Sequence, residues 1–318
     1  MRIVALIPGG ISDQILSFPT LDDLKRYYPD TQIDVVVEPR AAGAYRVCKS
    51  VTNVMRFDFQ DRNSLTDWVN LIGNIRDREY DVAIFMGQNW FVGLLLWMTG
   101  ISTRIGYQGA GSIFLTNPVP LKTEQYSAAT YHDLLQGLGI NSPSPELALN
   151  VPLPDIDWAQ KEQQRLGIKE TGYILIHPGS GEALDSKSDQ IYPAKNWQQI
   201  IQDFQQRQPD LPVVIIQSPA DEQLVRSLLE SNSQLKITSP PDLGKLAAMI
   251  AGANLLLCTD SAPMHLAVAV QTYTIALFGS KEPKKLLPLG DRAIAIKSPT
   301  TKMADISPQD VLGRVWNS

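Results

Sequence analysis

NLLLCTDSAPMHLAVA, residues 254–269, carries the decision about the fold. An uncharged apolar run stops at Cys258, the polar residues Asp260 and Ser261 follow, and Pro263 opens a run of small apolar residues with His265 one turn inside. A short, continuous apolar run bounded by turn residues reads as a strand buried on both faces, and proline is well tolerated in the first turn of a helix. The stretch is therefore a strand passing directly into a helix, the unit from which parallel sheets are built. Either Asp260 or Ser261 is expected to cap that helix. The open N–H groups of its first turn, from Ser261 and Ala262 onward, are expected to form an anion site. One charge gains only ~0.3–1 kcal/mol there when exposed and about 2 when partly buried, so a diphosphate needs several N–H groups and a cation. Asp260 would repel phosphate and is expected to accept hydrogen bonds from sugar hydroxyls. His265, taken alone, reads as a buried helix residue with a satisfied ring.

The same alternation runs through the chain. Strands are expected at Ile3–Ile7, Ile33–Val37, Val54–Phe57, Val82–Met86 and near Arg104–Gly106, then at Tyr173–His177, Val213–Gln217, Leu235–Ile237, Leu255–Cys258, Thr274–Phe278 and Ala293–Ile296. Amphipathic helices fill the gaps, among them Gln14–Tyr28, Leu65–Asp77, Trp197–Arg207, Asp221–Glu230 and Leu243–Ala251. Such alternation predicts an α/β protein with two doubly wound, Rossmann-like domains. The Pro-rich stretch NSPSPELALNVPLPDID, residues 141–157, is the expected linker, dividing the chain into domains 1–150 and 151–318. The last helix, 307–316, is expected to pack across the interdomain junction. Ligands of open parallel sheets bind beyond the carboxyl ends of the strands, so both domains are expected to offer those ends to one cleft.

The bulk properties exclude several classes. A net charge of -5 over 318 residues argues against a nucleic-acid partner, which would call for a basic face. Cys48 and Cys258 are far apart in apolar context and read as reduced thiols of a cytoplasmic protein. The three histidines, His132, His177 and His265, show no metal-ligand spacing, and Asp155-Ile156-Asp157 stands where acids commonly cap a helix. MRIVALIPGG at the N-terminus reads as a first strand rather than a leader. VAIFMGQNWFVGLLLWMTG, residues 82–100, is uncharged but broken by Gln88 and Asn89, so it reads as strand, loop and buried helix. A membrane-surface face made of Trp90, Phe91, Trp97 and Met98 is the second reading of that helix.

Four further loops lie at expected strand ends. IPGGISDQILSFP, residues 7–19, has a glycine pair for a tight turn and Asp13 at a helix start, either as an N-cap or as a carboxylate aimed at the cleft. His177-Pro178-Gly179-Ser180-Gly181 ends a strand in a loop whose backbone N–H groups can approach phosphate, with Lys187 and Lys195 following. Gln217-Ser218-Pro219 joins a strand to a helix start. Phe278-Gly279-Ser280-Lys281 opens the densest basic cluster of the chain, completed by Lys284 and Lys285.

In this order the loops resemble glycosyltransferase family 9, the ADP-heptose:lipopolysaccharide heptosyltransferase-like proteins, over nearly the whole chain. The carriers are Asp13 with Pro19, Ile176-His177-Pro178-Gly179-Ser180, Tyr192-Pro193 with Trp197, Asp260-Ser261 with His265, and Phe278-Gly279 with Pro283. The resemblance implies a GT-B architecture, with an N-terminal domain for a glycan or glycolipid acceptor and a C-terminal domain for a nucleotide-diphosphate sugar, ADP-linked heptose by family default. It implies inverting transfer with no cofactor and no metal, and a cytoplasmic enzyme of lipopolysaccharide biosynthesis, with peripheral contact to the inner membrane face as a further expectation. Asp13 would be the general base. Ser180, Lys187, Ser261, Ala262 and Lys281 would hold the donor phosphates, and His177, Gln217, Ser218, Asp260 and His265 the donor's sugar and nucleotide. The chain departs from the pattern where Gln190 replaces the family's phosphate-binding lysine, Ala262 a glycine and Lys281 a threonine, leaving Lys187 and Lys281 as the nearest cations. These departures define the rival expectation, a family member that binds nucleotide sugar or glycan without transfer. An NAD-dependent oxidoreductase lacks its glycine fingerprint here, and an epimerase of the same build is a third alternative.

Overall fold

A computed structural model describes the chain except residues 60–62, 169–170, 180–189, 289 and 317–318. The chain divides into two compact units, Met1–Asn150 and Val151–Ser318. The first holds β1 (Arg2–Ile7), β2 (Gln32–Val37), β3 (Asn53–Arg56), β4 (Val82–Phe85), β5 (Thr103–Tyr107) and β6 (Asn117–Val119), in the order β3-β2-β1-β4-β5-β6. The second holds β7 (Ile174–His177), β8 (Val213–Ile216), β9 (Lys236–Thr238), β10 (Leu255–Thr259), β11 (Thr274–Phe278) and β12 (Ala293–Lys297), in the order β12-β11-β10-β7-β8-β9. Every pairing in both sheets is parallel.

The central strands β4, β7, β8, β10 and β11 are buried along their whole length, which is why each reads as an unbroken apolar run. Their faces are covered by helices whose apolar stripes complete the cores. In the second unit Trp197, Ile200, Ile201 and Phe204 pack with Ile176, Ile215, Leu257 and Leu277. In the first, Leu71, Ile75, Val92 and Leu96 pack with Val4, Leu6, Ala83 and Phe85.

Two expectations need correction, and one strand was missed. The strand β6 was not anticipated: it is three residues long and contains Pro118, which a sheet tolerates because β6 is an edge strand. The expected linker ends early, since a helix occupies Leu153–Leu166 and begins with Pro154 near its start. Asp155 lies inside that helix, buried, with Lys245 Nζ 3.5 Å from its carboxylate. The last helix, Pro308–Trp316, packs within the second unit on the helix Ala194–Arg207. There the Trp316 ring packs at a tilt against Phe204, ring centres 5.2 Å apart, and donates its indole N–H to Asp203 at 2.8 Å.

In each sheet the chain reverses its direction of winding once, between β1 and β4 and between β7 and β10. Consecutive crossovers leave on opposite faces at such a point, which is where ligands of doubly wound sheets bind. Of the loops that sequence reading singles out, those around Asp13, His177 and Asp260 follow β1, β7 and β10 at these points.

Candidate active site

In the second unit the β7 and β10 loops are locked together by a buried polar chain. His177, the last residue of β7, places Nδ1 3.2 Å from Ser261 Oγ and Nε2 3.4 Å from the Asp221 carboxylate. His177 thus bridges the Asp221 carboxylate on one side of its ring and the Ser261 hydroxyl on the other. Burial works to raise the Asp221 carboxyl, but hydrogen bonds and charge from His177 and Ser218 outweigh it and hold it below its ordinary value. Ser218 donates its hydroxyl to Asp221, and Thr259 at the end of β10 donates to the carbonyl of Gly179. A Cβ on Gly179 would overlap Asp221 Oδ1, so glycine is required by this close approach.

Ser261 sits at the N-cap of the helix Ala262–Ala269, yet its side chain makes no cap hydrogen bond. Ser261 thus holds the cap position without the expected capping bond: its hydroxyl is buried and turned toward His177 and Thr259, away from the helix amides. The row of open amides is also shorter than expected. Pro263 has no N–H, the Ser261 N–H is used by Thr259 O at 2.9 Å, and Met264 N–H by Ser261 O at 3.0 Å. The Ala262 N–H is the one in this turn with no partner among the described residues. Beside it, Lys281 Nζ lies 3.4 Å from Asp260 Oδ2, so the structure brings together two predicted donor contacts, one of each charge.

His265 is 1% exposed, and its Nδ1 has no hydrogen-bond partner among the described residues. The expectation of a satisfied ring is corrected on that atom. Burial, aided by the positive Lys281, pushes its pKa down from 6.5 to about 3. The folded chain thus keeps His265 neutral where the unfolded chain takes up a proton. Its contribution is complete above pH 6.5 and is lost by about 1.4 kcal/mol per unit as pH falls from there toward 3. Denaturant titrations between pH 7 and pH 4 are expected to show this slope, and His265→Leu to flatten it.

Gln217 follows β8 and Ser218 is committed to Asp221. Ser180 and Lys187 lie outside the described residues. Gln190, in the family lysine's place, is half-buried just before the helix Ala194–Arg207.

In the first unit the helix after β1 starts at Ile11, with Gly10 as its N-cap. Asp13 is therefore the third helical residue, not the cap. One carboxylate oxygen accepts the Gly10 N–H at 2.9 Å and the other accepts the Tyr131 hydroxyl at 2.9 Å. Each oxygen keeps a lone pair, so the group is oriented without being consumed. Gly9 has φ +109°, and a Cβ there would overlap Asp13 Oδ2. The turn thus needs glycine twice over, for its left-handed backbone and for room. Burial, with the nearby Asp13 charge, holds the Tyr131 phenol well above its usual range, so it is a hydrogen-bond donor at neutral pH.

Sequence reading missed Tyr131 and Asp221. Tyr131 is 118 residues from its partner, and nothing local marks it. Asp221 carried one local signal, a serine three positions earlier at a helix start, which is the spacing of a reciprocal cap. The expected apolar face also changes. Trp97, Met98 and Ile113 are exposed, whereas Phe91 is half-buried against Trp68, ring centres 4.9 Å apart. No helix among the described residues is long and apolar enough to cross a membrane.

Two doubly wound units, each with polar groups gathered at its switch point, define a GT-B protein. A family model, glycosyltransferase family 9 (heptosyltransferase), matches residues 68–315, and the chain belongs to that family. It is a heptosyltransferase-like glycosyltransferase. The chain is 25% identical over its full length to 72% of the photosynthetic NDH subunit of subcomplex B 1 of Arabidopsis thaliana. It is 23% identical to lipopolysaccharide heptosyltransferase 3 of Escherichia coli, over 85% of this chain and 81% of that one. Among solved structures, a family 9 glycosyl transferase from Veillonella parvula superposes with a TM-score of 0.84 at 20% identity, covering 99% of this chain and 96% of that one. E. coli heptosyltransferase WaaC with ADP-2-deoxy-2-fluoro heptose gives a TM-score of 0.79 at 16% identity, covering 100% and 99%.

Proposed function

We propose that this glycosyltransferase moves a sugar from a nucleotide-diphosphate donor to a cell-envelope glycan, with inversion at the anomeric carbon. The donor occupies the second unit and the acceptor the first. Asp13 takes the proton of the acceptor hydroxyl as its oxygen attacks the anomeric carbon. The bond from that carbon to the diphosphate breaks, and the nucleoside diphosphate leaves. The observation that carries the reading is the pairing of Lys281 and Asp260 beside an open helix start at the β7/β10 switch point. A diphosphate arriving at the Ala262 N–H offers Lys281 a stronger partner than Asp260, whose carboxylate then accepts hydrogen bonds from the sugar. No metal is needed in this scheme. The countercharge comes from the lysine and the helix start.

ADP-heptose is the donor that the relatives favour, and lipopolysaccharide the acceptor class that one of them names. The exposed Trp97, Met98 and Ile113 suit peripheral contact with the inner membrane face, where such an acceptor resides. A second reading, ligand binding without transfer, is favoured by Gln190 in the lysine's place and by likeness to an NDH-complex subunit. The donor is tested by thermal shift with ADP-, GDP-, UDP- and dTDP-sugars. A donor at a hundred times its Kd stabilises by about 2.7 kcal/mol. An ADP-sugar is expected to raise the Tm most, and no shift with any of the four would contradict the proposal.

A further inference from the structure

A cavity of about 130 Å³ lies in the first unit beyond the carboxyl ends of β4 and β5, between the loops Gly87–Trp90 and Gln108–Gly111. Its walls hold glycines where the two loops touch backbone to backbone. A Cβ on Gly111 would come 2.8 Å from Trp90 Cα, and one on Gly93 would come 3.0 Å from the Gly111 carbonyl. This contact holds Trp90 at the rim, with 53% of its surface exposed. The side-chain amides of Gln88 and Gln108 also line the cavity, and neither makes a hydrogen bond among the described residues. No charged side chain lines it.

The cavity neighbours Asp13. The strand β4 lies directly beside β1 in the sheet, and a Cβ on Gly87 would come 2.9 Å from Pro8, the first residue of the loop that leads to Asp13. Tyr107, another lining residue, donates its hydroxyl to the carbonyl of Thr130, the residue before Tyr131.

We infer that this cavity is an acceptor subsite for one uncharged pyranose residue, and this rests on the proposed transfer reading. A free indole face matches the apolar C–H face of a sugar ring, and free amides match its hydroxyls as donor and acceptor together. Drug-sized ligands need about 300–1,000 Å³, so this cavity takes a single ring and leaves the rest of a glycan outside. An anionic sugar would leave its charge facing uncharged walls with no cation to pair with, which is unfavourable. The sugar that receives the new bond, or its neighbour in the glycan, is therefore neutral rather than phosphorylated or acidic.

The test is an NMR titration of the full chain with the methyl glycosides of glucose, galactose, mannose and N-acetylglucosamine, and with glucuronate and glucose 6-phosphate as charged counterparts. At least one neutral glycoside is expected to bind and neither anion to compete. Gln108→Ala is expected to weaken binding about fivefold, the worth of one hydrogen bond, and Trp90→Ala about tenfold. Both side chains are exposed, and circular dichroism checks that each variant is folded. Binding by none of the four, tighter binding of an anion, or unchanged affinity in both folded variants would overturn the assignment. The thermal shift with nucleotide sugars fails independently. A donor shift without glycoside binding removes only this subsite, whereas glycoside binding without a donor shift removes the transfer reading.

Discussion

Asp13→Asn is expected to abolish transfer while leaving the donor-induced thermal shift intact. The substitution is isosteric, and its amide oxygen can still accept the Gly10 N–H or the Tyr131 hydroxyl that hold the wild-type side chain. The helix start and the fold therefore survive. What disappears is the proton acceptor, and general-base catalysis is worth ~10²–10⁴ in rate. The pattern to look for in steady-state kinetics is a fall in kcat with little change in the KM for the donor, since Asp13 belongs to the other unit. A variant with wild-type kcat would remove Asp13 from the chemistry. If wild type binds an ADP-sugar but transfers it to no acceptor, the binding-only reading prevails.

The largest structural effect is expected from Gly179→Ala. The added Cβ overlaps the Asp221 carboxylate, which is itself buried against His177. Either the carboxylate leaves the imidazole or the β7 loop leaves Thr259, and both partners of each contact are buried. Leaving a buried carboxylate without its hydrogen-bond partner costs about 1–3 kcal/mol or more, a large share of the stability of an ordinary domain. Urea titration should register that loss. The Ser261 hydroxyl would lose its anchor as well, so donor binding should weaken at temperatures where the variant is still folded. The same substitution at Gly181 lies outside the described residues and makes no useful control. Gly43 does, because a Cβ there meets nothing within 4 Å. Gly43→Ala should leave stability nearly unchanged.

The doubly wound plan was legible because its central strands are buried on both faces, so that LLLC at Leu255–Cys258 and VVII at Val213–Ile216 have only one sensible reading. The edge strand β6 was not, since three residues with a proline look like any extended loop. At the site, local chemistry identified Asp13, His177, Asp260, Ser261 and His265 as polar groups at strand ends or helix starts. It could not say where each side chain points. Ser261 faces His177, 84 residues earlier, and not its own helix. Capping preference therefore pointed the hydroxyl at the wrong partner. His265 was expected to find a partner for its ring, but the small residues around it offer none to Nδ1 among the described residues. Tyr131 and Asp221 became visible only when the fold carried them to Asp13 and His177. The pairing of Lys281 with Asp260 is a product of neighbouring strands, β10 and β11, whose ends adjoin.

Hydrogen–deuterium exchange with and without ADP tests the account at its centre, the anion site at the start of the helix Ala262–Ala269. Slowed exchange is predicted for a peptide spanning Ser261 to Leu266 and for the Lys281 loop, with adenosine producing little of it. If ADP protects only other parts of the chain, or adenosine protects this helix start equally well, the helix start does not hold a diphosphate and the proposed donor site is wrong.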